Sequence, residues 1–147
     1  MLLSGEIDAA IGAGPVDSPD VQPLFSEPDA ADAAWHQKTG IYPISHMVVV
    51  KNARLEANPG LEQELFEVFK TAKSHYIEGL HSGDHPSQAD RALLKMAEVV
   101  GDDPIPYGFE SSRKTLETFV RFNVEQGVIP EKVDPEELFP ASTLTLA

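Results

Sequence analysis

The sequence predicts a helix-rich α/β protein, on three observations. Residues 42–52, "YPISHMVVVKN", hold an unbroken β-branched run without polar alternation, the pattern of a strand covered on both faces. Three later stretches repeat apolar residues at helical spacing. The start, "MLLSGEIDAAIG", reads as the last turn of a helix, a stop at Gly5, and a short strand from Ile7 to Ile11. Four residues before a stop make no stable helix alone, so the expectation is a chain that begins inside a larger fold.

Along the chain, residues 12–30 contain four prolines and two glycines and read as a connection, extended around "VQPLF". A short helix is expected from Asp29 to Lys38, stopped by Gly40. After the 42–52 strand comes "NPGLEQELFEVFKTAKSHYI", with Asn58 as cap and Pro59 at the first helical position. Its expected inward face is Leu61, Leu65, Val68, Phe69, Ala72 and Tyr76. "HPSQADRALLKMAEVVG" is a second amphipathic helix with Leu93, Leu94, Met96, Ala97 and Val100 inward, followed by Gly101. A third, "SRKTLETFVRFNVEQG", turns Leu116, Phe119, Val120 and Val124 inward and stops at Gly127. "DPEELF" is one more turn, capped by Asp134 with Pro135 first. So few strands make a poor sheet, which points to dimerisation or to a longer fold.

Composition narrows the function. Of 147 residues, 24 are Asp or Glu and 11 are Lys or Arg, a formal net charge of -13. That balance opposes nucleic acid and anionic membrane as partners, since both are held by cationic contacts. There is no cysteine, hence no disulfide, thiolate metal site or cysteine nucleophile. No run approaches the roughly 20 apolar residues of a membrane span. The opening residues lack a basic start and turn acidic at Glu6, so the expected location is cytoplasmic.

Several residues stand out before any family is considered. "GAGP" (12–15) offers an anion close backbone approach and free N–H groups at Gly12 and Gly14, and a crossover turn explains it equally. It fails the dinucleotide fingerprint, with Asp17 where the third glycine would stand. Arg113 and Lys114 open a helix against its dipole, so a substrate carboxylate, Glu110 or Glu117 is expected to hold them. Tyr107 and Gly108 precede that helix as wall candidates. "HSGDH" (81–85) could place His81, Asp84 and His85 about a divalent ion, but reads better as a solvated loop, and no metal site is assigned.

Taken in order, "SGEIDAAIGAGP", "TGIYPISHMVVVKN", "NPGLEQELFEVFKTAK", "DPIPYGFESSRKTLETFVRFNVEQGVI" and "DPEELF" resemble the C-terminal half of the 4,5-dihydroxyphthalate decarboxylases. That family is itself similar to the solute-binding proteins of ABC transporters. The resemblance implies part of a type II periplasmic-binding-protein fold, two α/β lobes with the ligand between them. Residues 1–28 would end lobe two and cross over, and residues 29–147 would form the C-terminal part of lobe one. It implies a small aromatic carboxylate as ligand and loss of one carboxylate as CO2, giving protocatechuate. A proton must replace the CO2 on the ring, and no cofactor is required.

On that reading His46 is the expected proton donor, an ionisable group at the start of the strand whose residue type titrates near neutral pH. The alternative is a core histidine bonded to a carbonyl. Tyr42 and Ser45 flank it as substrate-binding candidates, with Gly12, Gly14, Tyr107 and Arg113 completing the set. By strand parity Tyr42 and His46 share a face and Ser45 lies opposite, though Pro43 can bend the segment. The other functional reading is a solute-binding component of a transporter. Unpaired sheet edges predict self-association, with a homodimer expected.

Overall fold

The computed structural model describes residues 1–12, 14, 16–83 and 87–146. The chain forms two compact units, Met1–Ala34 and Trp35–Ala147.

The first unit is mostly irregular. Its opening turn is the expected helix end: Glu6 N–H donates to Met1 O at 3.0 Å and Gly5 N–H to Leu2 O at 3.2 Å, with Gly5 at φ 73°. These paired bonds satisfy terminal carbonyls as a glycine-stopped helix does. The strand expected at residues 7–11 and the extended piece at 21–25 do not form as strands. Helix α1, Pro28–Thr39, spans the junction between the units. It ends as expected at Gly40, where φ is 64° and the N–H donates to His36 O at 2.6 Å.

The second unit is helical: α2 (Asn52–Ala57), α3 (Leu61–Ser82), α4 (Gln88–Val100) and α5 (Phe109–Glu125), then 3-10 turns at Pro135–Leu138 and Ala141–Thr143. Among the described residues there is no β-strand, so the fold is helix-rich without the expected sheet. Residues 42–50 are the main departure. They carry no regular secondary structure, because a strand needs a second backbone to bond and none among the described residues pairs with them.

Helix α3 starts later than expected. Gly60, at φ 91°, is its N-cap, and Asn58 instead closes α2 by donating its N–H to Leu55 O. The intervening Pro59 sits in the turn, and only glycine enters the left-handed region there without a Cβ clash. Helix α4 begins with a reciprocal cap: Asp90 N–H donates to Ser87 Oγ at 3.1 Å, and Ser87 N–H to the Asp90 carboxylate at 2.7 Å. Residues 85 and 86, which open the expected second helix, lie outside the described residues. Helix α5 starts three residues before Ser112, so Arg113 and Lys114 lie in its second turn and not at its mouth. The turn after Asp134 forms as expected, with Glu136 N–H donating to the Asp134 carboxylate at 3.0 Å.

The core of this unit is small. Leu80, Phe109, Leu116 and Val120 are its buried hydrophobic residues, with Pro104 fully enclosed beside them. α3 packs on α4 and on the second 3-10 turn, and α5 on the first. Phe109 meets Phe139 edge-on at 5.1 Å between centroids. Much of the expected inward surface is open: Val68, Phe69 and Tyr76 on α3, Met96 on α4, and Phe119 on α5, which is 65% exposed. No helix among the described residues is long and apolar enough to cross a membrane.

Candidate functional site

Residues 42–50 form a ridge between two grooves of the second unit. The larger groove, about 860 Å³, is walled by this ridge, by α3 residues such as Phe66 and Phe69, and by Pro104–Phe109. The smaller, about 330 Å³, lies between residues 41–47 and the Thr115–Phe122 side of α5.

The ridge is tied down at one end. Thr115 Oγ1 donates to Tyr42 O at 2.9 Å and accepts from Tyr42 N–H at 3.3 Å. The Tyr42 hydroxyl donates to Pro104 O at 2.7 Å, and its ring stands edge-on to His36. Burial, and secondarily the charge of Asp103, pushes the Tyr42 hydroxyl above its ordinary pKa. Tyr42 therefore anchors the ridge with its polar end already engaged. Asp103 is itself held by Lys73.

His46 is neither packed in a core nor bonded to a carbonyl. It is exposed, and its ring nitrogens have no hydrogen-bond partner among the described residues. It borders both grooves, as does Ser45, which is also exposed. The covering expected over this run is not found among the described residues of this unit, where Met47, Val48 and Val49 stand exposed.

Tyr107 lines the larger groove, with its hydroxyl 3.3 Å from Phe66 O and its ring tilted against Phe66 at 4.7 Å. Burial, and then the charge of Glu67, raises its pKa. Gly108 lines the groove beside it.

Arg113 is committed elsewhere. It donates to Glu110 at 2.6 Å and to Glu136 at 2.7 Å, and lies over the Phe109 ring at 4.6 Å. Hydrogen bonds to these two carboxylates hold its pKa above the ordinary guanidinium range. The Glu110 pairing is one of those expected. Glu136, in the 3-10 turn, takes the place expected for Glu117. Neither groove includes Arg113. Gly12 and Gly14 belong to the first unit, each at φ 70°, while Ala13 and Pro15 lie outside the described residues.

The larger groove holds no lysine or arginine among its described lining residues, and its charged residues are Glu62 and Glu137. The Ser142 hydroxyl donates to Glu62 at 2.8 Å and lowers its pKa, so this carboxylate stays charged. Sequence reasoning missed this acidity and the anchoring pair Thr115–Tyr42, which is 73 residues apart. No group of three or more potential ligands is placed to share a metal among the described residues; Asp84 and His85 of the "HSGDH" stretch lie outside them.

No family model matches the chain. Among curated proteins it is similar to 4,5-dihydroxyphthalate decarboxylase of Comamonas testosteroni, 28% identical over 156 residues. The match covers 97% of this chain and 46% of that protein, so the chain spans about half the length of its relative. The similarity supports a distant relationship that runs through nearly every element described above.

Proposed function

We propose that this chain is decarboxylase-like and contributes part of a site for a dihydroxylated aromatic dicarboxylate. The observation that carries the reading is the similarity to 4,5-dihydroxyphthalate decarboxylase along 97% of the chain. On this reading the chain corresponds to part of a type II periplasmic-binding-protein-like α/β fold, with residues 1–28 completing one lobe and 29–147 contributing to the other. Residues 42–50 would then be a strand lacking its neighbours.

The chemistry assigned to His46 is a proton transfer. Its imidazolium protonates the ring carbon that bears the departing carboxylate. The carbon–carboxylate bond then breaks, its electron pair returns to the ring, CO2 leaves, and solvent reprotonates His46. A ring hydroxyl stabilises the cationic intermediate. His46 suits the role by being accessible and without a hydrogen-bond partner among the described residues. Tyr42, Ser45 and Tyr107 are the adjoining walls. Among its described lining residues the groove carries Glu62 and Glu137 and neither lysine nor arginine, so groups beyond those residues must hold the substrate carboxylates.

The test is CO2 and protocatechuate formation from 4,5-dihydroxyphthalate by the purified chain, beside His46→Ala. Release by the parent chain and its loss in the variant, at unchanged helicity, is expected. Equal release by both proteins removes His46 as donor, and no release by the parent chain overturns the activity.

A further inference from the structure

Hydrogen-bond accounting singles out the ridge a second time, independently of any catalytic reading. No backbone group of residues 43–50 makes a hydrogen bond within the described chain, whereas Tyr42 on one side and Lys51 on the other are bonded. Along the same residues the apolar side chains of Met47, Val48 and Val49 stand open, Val49 at 88%. Exposed backbone whose N–H and C=O groups are unbonded can template another strand. Soluble proteins usually blunt such an edge with charge. Here no Asp, Glu, Lys or Arg occurs from Thr39 to Val50.

We propose that this segment pairs, antiparallel, with the same segment of a second copy of the chain. Three observations select that occupant. First, a two-fold interface needs a patch complementary to itself, and an antiparallel pair centred on Met47 sets Val49 against Ser45 and His46 against Val48. Second, two chains of net charge -13 repel wherever their acidic surfaces meet, and this stretch lets them approach without facing like charges. Third, the charges that flank the interface are opposite. Each segment ends at Lys51, which has no ion pair among the described residues, and the adjoining groove carries Glu62 and Glu137. The second copy then covers the side chains beside His46.

The experiment is light scattering over a range of chain concentrations, with hydrogen exchange measured on the same samples. The expected result is a mass rising from one chain to two, while amide exchange over residues 44–50 slows on the order of tenfold. Val49→Lys places a lysine in each half of the interface and weakens dimerisation on the order of tenfold or more, while Val49→Thr retains it. Val49 is too exposed for either change to endanger folding. A chain that stays monomeric overturns the proposal. So does a dimer whose 44–50 amides exchange as in the monomer, or protection of those amides already complete in the monomer. These readouts use no substrate, so they stand or fall separately from the decarboxylase reading.

Discussion

Thr115 works harder than its sequence context suggests. Its hydroxyl both donates to and accepts from the Tyr42 backbone, fixing residues 41–42 against α5. Thr115→Val keeps the shape and removes both bonds, leaving part-buried Tyr42 groups unpaired; urea unfolding is expected to show a loss of roughly 1–2 kcal/mol. A second residue-level tie is pH-sensitive. The Tyr76 hydroxyl donates to Asp90 at 2.5 Å, joining α3 to the cap of α4. This bond, followed by the Ser87 cap, lowers the Asp90 pKa, and the same bond raises that of Tyr76. The Asp90 contribution is therefore complete above the ordinary aspartate value of about 3.9 and disappears as pH falls through its lowered value. That of Tyr76 is complete below about 10 and disappears as pH rises beyond it. Amide exchange at the start of α4 should quicken at both extremes, and Asp90→Asn should remove the acid limb.

At the scale of elements, α5 separates what the sequence could and could not reveal. Its pattern offers Leu116, Phe119, Val120 and Val124 as one inward stripe, yet Leu116 and Val120 are buried while Phe119 stands open. Leu116→Ala is expected to cost about 2–5 kcal/mol and Phe119→Ala within about 0.5 kcal/mol, as read from denaturant midpoints. Helical periodicity identifies an apolar face but not how much of it finds a partner. The same limit explains α3, where Val68, Phe69 and Tyr76 remain open while Phe66, on a neighbouring face, stacks against Tyr107. Helix stops were legible because glycine encodes them locally, as at Gly5, Gly40 and Gly101. The start of α3 was less so, because Asn58 and Pro59 mimic a cap that Gly60 supplies.

Over the whole molecule, legibility follows the range of the interactions. Helix content, the Asp134 turn and the Glu110 partner of Arg113 depend on near neighbours and could be read directly. The pairing of residues 42–50 depends on a second backbone, which no local pattern supplies. The candidate site divides the same way: Tyr42, Ser45, His46 and Tyr107 converge on the larger groove, whereas Arg113 is drawn off by Glu136, 23 residues away. What reads as a covered strand is thus a ridge left open among the described residues.

That ridge also sets how the protein meets proteases. A protease cleft accepts exposed backbone that no other group holds, so residues 43–50 present a ready substrate. Enzymes that cut after lysine or arginine find neither residue between Lys38 and Lys51 and must pass over it. Elastase-like enzymes, with small primary pockets, meet three successive valines there. A cut at that point would part α1 from the helices that follow, and pairing with a second copy would shield the bond.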